Sequence, residues 1–207
     1  MKEAPTRGPL SFYPDAMAKQ FDRILPEHAA FIARQPLFFT GSAAPGGRVN
    51  ISPKGLDTLR LFGDRTAAYL DLTGSGNETA AHLRLSPRLT LMFCAFEGPP
   101  LILRLYGTAR VLALGTPEFG ARAPTFTLLP GTRQIVELDV DLVQTSCGFG
   151  VPLLDFREDR SALTRQAEAW GEDGLRSYWE RKNQQSIDGF PTGLLERSGD
   201  ASPASEG

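Results

Sequence analysis

The chain has 207 residues, of which 41% are hydrophobic and 22% charged, and its formal net charge is −2. This length fits one domain with a substantial core, and the lack of a basic run excludes the charge pattern of nucleic-acid-binding proteins. Two separated cysteines and only two histidines predict buried free thiols and no transition-metal site. The sequence has no long apolar stretch and no secretory signal, which predicts a cytoplasmic protein.

The first elements of the chain are predicted to be helical. Residues 1–14 are rich in proline and glycine, so we expect a flexible, poorly anchored start. Residues 15–25 place four apolar side chains on one helical face, namely Met17, Phe21, Ile24 and Leu25. Pro26 begins a second helix, because proline is tolerated at the first helical position, and Pro36 ends it.

After residue 36 the apolar side chains follow the two-residue period of strands. We predict strands over residues 37–42, 48–52, 68–73, 89–96, 101–112 and 133–145, with a brief extension of the sheet at 59–62. Gly107 predicts a β-bulge or a sharp bend, and the alternation in the last strand places Glu137 on the solvent face. One short helix interrupts these strands, so the pattern favours a mainly β, nearly closed antiparallel barrel over a doubly wound parallel sheet.

That interruption is a glycine-rich turn followed by a short helix. Gly74 breaks the strand, Ser75 and Glu78 have the spacing of a capping box, and Pro87 ends the helix. The free backbone N–H groups and the dipole at a helix N-terminus both favour an anion. We therefore predict an anion site within residues 73–79.

A second polar stretch, residues 50–54, ends the strand that precedes this turn. Together the two stretches offer hydroxyls, an amide, backbone N–H groups and the Lys54 ammonium, which suits a phosphate attached to a planar heterocycle. The alternative interpretation is a capped helix and a strand end without a ligand. His82 is expected on the helix surface rather than in catalysis, and no hydrolase or phosphate-loop motif is present.

The C-terminal part is predicted to return to helix. Residues 161–170 and 172–182 form two helices separated by Gly171 and followed by a loop over 186–195. Residues 196–207 are small, polar and charged, so we expect a disordered tail. The chain is therefore predicted to be one folded domain over residues 15–195.

Several segments of this domain resemble a known family. They are RVNISPKG (48–55), YLDLTGSGNETAAHL (69–83), RLTLMFCAFEGPP (88–100) and LRLYGTARV (103–111), followed by CGFGVP (147–152) and NQQSIDGFPTGL (183–194). In this order they are similar to the flavin-binding branch of the pyridoxamine 5′-phosphate oxidase-like split barrels. The resemblance implies a six-stranded antiparallel split β-barrel, usually a homodimer with FMN at the subunit interface.

The resemblance also implies which residues would hold FMN. The backbone of residues 50–52 would face the ring edge, Lys54 would reach the phosphate or a ring carbonyl, and residues 77–79 would form the phosphate turn. The implied cofactor-binding residues are Arg48, Asn50, Ile51, Ser52, Lys54, Thr73, Gly74, Ser75, Asn77, Thr79 and Arg104. Catalytic side chains are not implied, because the reactive chemistry belongs to the cofactor.

The phosphate turn departs from that of true pyridoxamine phosphate oxidases, which carry two cations there. This chain has Glu78 and Thr79 instead. Two charge-assisted contacts, each worth about 1.5–3 kcal/mol, are thus missing from the turn. The remaining positive charge comes from Arg48, Lys54, Arg104 and Arg110. Residues specific for a B6 vitamer are not recognisable, so that activity is not implied.

Two classes of function follow from these observations. The first is an FMN-dependent oxidoreductase that moves a hydride or electrons between FMN and a small molecule. The second is a non-enzymatic flavin- or ligand-binding barrel of the stress or storage type, suggested by the missing cations. A deazaflavin or another cofactor in the same groove is a variant of the first class.

Overall fold

The structure is a computed structural model that describes residues 18–196. The predicted flexible start (1–14) and the predicted tail from residue 197 onward lie outside the described residues. Residues 18–196 form eight strands and four α-helices: β1 (Lys19–Phe21), α1 (Pro26–Ile32), β2 (Phe38–Ser42), β3 (Asn50–Lys54), β4 (Leu59–Phe62), β5 (Thr66–Leu72), α2 (Glu78–Leu85), β6 (Arg88–Cys94), β7 (Ile102–Ala113), α3 (Pro117–Arg122), β8 (Thr132–Ser146) and α4 (Ala162–Lys182). None of the described helices is both long enough and apolar enough to cross a membrane.

The eight strands form one antiparallel sheet in the order β3-β2-β6-β7-β8-β5-β4, and β1 pairs with the far end of β8. The sheet curls until strands that are not neighbours in it meet. Lys54 of β3 reaches Asp71 of β5, with 3.0 Å between Nζ and Oδ1. Phe38 of β2 packs edge-on against Tyr69 of β5, with ring centroids 5.6 Å apart. The predicted mainly β split barrel is therefore confirmed, with eight strands instead of six.

The prediction of a helix over 15–25 is wrong for the residues that the structure describes. Lys19–Phe21 is a strand that pairs with residues 143–145 of β8. β5 pairs with β8 only from residue 132 to residue 139, so the end of β8 keeps unpaired backbone groups on that side. Residues 19–21 pair with these backbone groups as a strand. The hydrogen bonds gained in this way stabilise the segment more than a helix with only a few apolar side chains on one face. The second predicted helix is confirmed as α1.

The main core lies inside the curl of the sheet. Leu91 and Phe93 of β6, Leu105 of β7 and Val136 of β8 are fully buried there. A second cluster lies on the outer face, where α3 and the following residues cover β5 and β8. Because β5 is packed on both faces, its end fixes the position of the turn at residues 73–77 and of the start of α2.

The predicted bulge in β7 is confirmed. The register between β7 and β8 shifts between Tyr106 and Gly107. A Cβ atom on Gly107 would lie only 1.9 Å from the backbone oxygen of Asp139. Glycine is therefore required here by the close approach of two backbones.

Two further predictions concern β8 and α4. The alternation in β8 predicts that Glu137 faces solvent, but Glu137 is buried, because Arg110 and Arg122 both donate to its carboxylate, at 2.7 and 2.5 Å respectively. The break predicted between the two C-terminal helices is confirmed at Gly171, which has φ 63° and interrupts α4.

The second half of α4 packs against the turn after β5. There the Trp179 Nε1–H donates to the Thr73 hydroxyl at 2.8 Å.

Candidate cofactor-binding site

A cleft of about 710 Å³ opens beside the N-terminus of α2. Its walls are the end of β3 and the segment that follows α4, and its floor is the end of β5 with the start of β8. Eight of the predicted cofactor-binding residues line this cleft: Arg48, Asn50, Ser52, Lys54, Gly74, Ser75, Asn77 and Thr79. The curl of the sheet thus brings together the two polar stretches that the sequence singled out.

The other three predicted residues do not line the cleft with their side chains. Ile51 is 69% exposed, and because side chains alternate along a strand it lies on the face of β3 opposite Asn50 and Ser52. Thr73 is buried behind the cleft, where its hydroxyl donates to the Gly131 carbonyl at 2.8 Å. Arg104 lies on β7 and donates to the Ser146 hydroxyl at 3.2 Å. Within one chain, Arg104 is therefore separate from the cleft.

The start of α2 differs from the predicted capping box. The helix begins at Glu78, Asn77 is the residue before it, and Ser75 caps no N–H group. The Glu78 carboxylate turns to the segment after α4, where both of its oxygens accept from the Ile187 N–H at 3.1 Å. The prediction is wrong because a partner about a hundred residues further on replaces the local one.

Asn77 does not cap α2 either, although asparagine is among the preferred residues at this position. Its Oδ1 accepts instead from the Gln134 side chain at 2.8 Å. Among residues 18–196, no acceptor pairs with the backbone N–H groups of residues 78–80, and the buried Nδ2 of Asn77 also has no partner. The N-terminus of α2 is therefore left open to an external anion.

A buried charge network forms the floor of the cleft around Asp71. Its carboxylate accepts from Arg133 Nε at 2.8 Å, Lys54 Nζ at 3.0 Å and Gln134 Nε2 at 2.8 Å. Burial opposes ionisation of Asp71, but the charges of Arg133 and Lys54 outweigh it and hold the pKa of this carboxyl well below its usual range. Arg133 also donates to Asn183 at 3.0 Å, which ties the floor to the segment after α4.

Sequence reasoning missed Arg133, Gln134 and Lys182. Arg133 and Gln134 stand where β8 begins, and two polar residues at the start of an otherwise alternating strand are the only local signal of their role. Lys182 ends α4 and lines the cleft from the side of the C-terminal segment. These three residues come close to the turn after β5 only in the folded chain, so their spacing in the sequence gives no sign of it.

The residues that line the cleft carry a net positive charge. They include the cations Arg48, Lys54, Arg133 and Lys182 and the carboxylates of Asp71 and Glu78, which gives a formal charge of +2. Both carboxylates are already engaged by partners in the protein. The turn itself has no cation, but Arg133 of β8 and Lys182 of α4 bring positive charge to the cleft.

The segment 183–194 closes one side of the cleft as a strap. Asp188 accepts from the backbone N–H of Arg48 at 2.7 Å and also from its guanidinium. The hydrogen bond from the Arg48 backbone keeps the pKa of Asp188 below its usual value. At the other end of the strap, Asn183 donates to the Gly74 carbonyl at 3.2 Å. The strap is thus fastened to both β3 and the glycine turn.

His82 does not lie on the helix surface, so this expectation is wrong. Residues 79–83 are buried in succession, and α2 packs against β2 and β7. The His82 Nδ1 atom lies 3.1 Å from the Ser42 hydroxyl, and that hydroxyl accepts from Asn50 Nδ2 at 3.3 Å. The other buried histidine, His28, packs against the Phe21 ring.

Comparison with known sequences links the chain to one family. Residues 24–147 match the family model described as Pyridoxamine 5′-phosphate oxidase. The pyridoxamine 5′-phosphate oxidase family protein ustO of Aspergillus flavus is 40% identical over 176 residues, and the match covers 76% of this chain and 71% of that protein.

Solved structures with similar folds are more distant. HupZ from Group A Streptococcus superimposes with a TM-score of 0.44 at 20% identity, covering 57% of this chain and 91% of that chain. An FMN-binding protein from Syntrophomonas wolfei superimposes with a TM-score of 0.40 at 19% identity, covering 55% and 80%.

Proposed function

The chain belongs to the pyridoxamine 5′-phosphate oxidase family, and we propose that it binds FMN in the cleft beside α2 as an oxidoreductase acting on a small molecule. The observation that carries this proposal is the uncapped N-terminus of α2 inside a positively charged cleft. A phosphate there would accept from backbone N–H groups that otherwise have no partner among the described residues.

The residues at this end of the cleft fit a phosphate. The N–H groups of Glu78 and Thr79 and the Asn77 amide can donate to it, while Lys182, Lys54 and Arg133 supply positive charge nearby. The Glu78 carboxylate is held by the strap, which reduces its repulsion of a phosphate. The cations therefore need not lie in the turn itself, as they do in true pyridoxamine phosphate oxidases.

The other end of the cleft fits a planar ring. β3 is an edge strand, so the side of its backbone that faces away from β2 is unpaired within the described sheet. Because alternate residues of an edge strand direct their N–H and carbonyl groups away from the sheet, part of the backbone of residues 50–52 can hydrogen-bond to the polar edge of a flavin. The side chains of Asn50 and Ser52 stiffen this strand, because the Ser52 hydroxyl donates to Asn50 Oδ1 at 3.3 Å.

FMN, when bound, supplies the hydride and electron transfer chemistry. The protein's part is to hold the ring edge along β3 and to anchor the phosphate at α2. Asp71 is engaged by three donors, so its role is to fix Lys54 and Arg133 rather than to move a proton. Arg104 lies outside the cleft of its own chain and is proposed to reach the cofactor only in a dimer.

The proposal includes a homodimer with the cofactor at the interface. Exposed apolar side chains cluster on the segment after β8, where Phe149 is 65% and Leu153 75% exposed, with Leu154 and Phe156 beside them. Next to them lies a groove of about 1570 Å³. Apolar surface of this kind is typical of a protein interface.

Gel filtration of the protein mixed with FMN, with light scattering, tests this proposal. The flavin absorbance should elute with the protein at the mass of a dimer. Elution of the flavin apart from the protein would contradict FMN binding, and a flavin-loaded monomer would contradict the interface site. Oxidation of NADH or NADPH by the loaded protein would support an enzyme, whereas its absence with several acceptors would favour a non-enzymatic binding protein.

The Lys182→Ala variant is predicted to bind FMN about two- to fivefold more weakly, because an exposed charge contributes roughly 0.2–1 kcal/mol. Riboflavin, which lacks the phosphate, should bind the variant as well as it binds the wild type. Fluorescence titration measures both affinities. Lys19→Ala removes an exposed lysine on β1 and should change neither affinity. An equal loss of affinity for FMN and for riboflavin would show that Lys182 does not interact with the phosphate.

A further inference from the structure

Asp71 and Gln134 determine the orientation of the Asn77 side chain. We propose that Asp71 and Gln134 are positioning residues that hold the Asn77 amide nitrogen as a fixed hydrogen-bond donor to the phosphate of the bound flavin nucleotide. This inference rests on the proposed function and adds to it a reason why the site selects the phosphorylated cofactor.

The first step is the orientation of Gln134. Its side-chain amide has a donor end and an acceptor end, whereas an ionised carboxylate can only accept. The Asp71 carboxylate lies 2.8 Å from Gln134 Nε2 and is kept ionised by two cations. The nitrogen of Gln134 must therefore face Asp71, and the opposite orientation would bring two acceptors together.

The second step transfers this orientation to Asn77. The same Gln134 nitrogen lies 2.8 Å from Asn77 Oδ1, so its two hydrogens are shared between Asp71 and Asn77. A reversed Asn77 would place two amide nitrogens against each other. Asn77 Oδ1 is therefore fixed toward Gln134, and Nδ2 is fixed on the other side.

The third step concerns what the Asn77 nitrogen meets. Asn77 is 2% exposed and lines the cleft, yet its Nδ2 has no partner among residues 18–196. The side-chain oxygen that would normally cap α2 is used by Gln134, so the free N–H groups of the first turn lie beside this donor. A buried donor without an acceptor is unfavourable, and a phosphate oxygen would satisfy it.

These donors are matched to an anion. Asn77 Nδ2 and the first-turn N–H groups of α2 can only donate, so they favour phosphate oxygens over the hydroxyl at the corresponding end of riboflavin, which carries no negative charge. The arrangement therefore predicts that FMN is preferred over riboflavin through Asn77, and that this preference depends on Gln134.

Asn77→Asp tests the inference, because it keeps the size of the side chain and replaces the donor with a charged acceptor. Equilibrium titrations should show FMN affinity reduced at least tenfold and riboflavin affinity changed less than about twofold, since hydrogen bonds to charged groups are among the strong ones. Gln134→Leu, which leaves Asn77 free to rotate, should reduce the preference for FMN in the same direction. Gln20→Glu adds the same charge on exposed β1 and should change neither affinity.

The outcomes separate this inference from the proposed function. A wild type that binds FMN, with an Asn77→Asp or a Gln134→Leu variant that keeps its FMN-to-riboflavin ratio, would overturn the inference and leave the function standing. If the wild type takes up no flavin, calorimetric titration with inorganic phosphate is the deciding measurement. Phosphate binding that is lost in Asn77→Asp supports Asn77 as a donor to a phosphate. Absence of phosphate binding to the wild type overturns the inference. If Asn77→Asp does not fold, Asn77→Ala replaces it, with a smaller loss expected and an unchanged ratio again contradicting the inference.

Discussion

Replacing Asp71 with asparagine should lower the free energy of unfolding by about 3–5 kcal/mol, the usual cost of removing one partner from a buried ion pair. Asp71 is 2% exposed, and the Arg133 side chain beside it is 4% exposed, so the change leaves a buried guanidinium without its carboxylate. Lys54 loses the same partner. The measurement is urea denaturation followed by circular dichroism.

Asp57→Asn is the matched control for Asp71→Asn. Asp57 also pairs with an arginine, Arg60, at 2.8 Å, but its side chain is 81% exposed. Exposed pairs of this kind contribute about 0.2–1 kcal/mol, so the control should change stability little. Equal effects of the two substitutions would show that the Asp71 network is not a structural support of the cleft.

The stabilisation by Asp71 should also depend on pH in a defined direction. The folded-state pKa of Asp71 is depressed, so its contribution is complete above the unfolded value near 3.8 and is lost as pH falls through the lower folded value. The difference in stability between wild type and Asp71→Asn should therefore be constant near neutral pH and shrink below about pH 4. A difference that grew on acidification would contradict the direction of the pKa shift.

Gly107→Ala should destabilise the protein by roughly 3 kcal/mol or more, at the upper end of the cost of overpacking. The added Cβ would lie 1.9 Å from the Asp139 backbone oxygen, and no side-chain rotation can relieve a contact with a backbone atom. β7 and β8, the two longest strands, would have to separate at the bulge. Thermal unfolding and the yield of folded protein measure the effect.

Gly120→Ala is the matched control for Gly107→Ala. Gly120 lies in α3, where a Cβ would meet no atom within 4 Å outside the adjacent residues and the helix's own backbone. Alanine is favoured over glycine in a helix by about 1 kcal/mol, so this substitution should be neutral or stabilising. A Gly107→Ala variant as stable as the wild type would show that the bulge is adaptable.

Local patterns predicted the parts of the fold that depend on local physics. The two-residue period located the strands, Gly107 located the bulge, and Gly171 located the break in α4. The polar stretch at 50–54 and the turn at 73–79 were both found because each contains several hydrogen-bonding groups in sequence. Their meeting in one cleft agrees with the family resemblance, while cofactor binding by their residues stays a prediction.

The features that were missed depend on partners distant in sequence. β1 is a strand because the end of β8 needs a backbone partner, and His82 is buried because α2 is packed on successive faces. Glu78 binds the strap, and Asn77 accepts from Gln134 instead of capping α2. No local pattern distinguishes these side chains from ordinary residues at a helix start.

The preference of the wild-type protein for FMN over riboflavin measures whether the cleft holds the phosphate at α2, because the two ligands differ only in the phosphate. Titration of each ligand, followed by quenching of flavin fluorescence, gives both dissociation constants under the same conditions. A phosphate held at α2 predicts FMN binding at least tenfold tighter than riboflavin, since tenfold corresponds to about 1.4 kcal/mol and the site offers several donors. Equal affinities, or no binding of either flavin, would contradict binding of the FMN phosphate at α2.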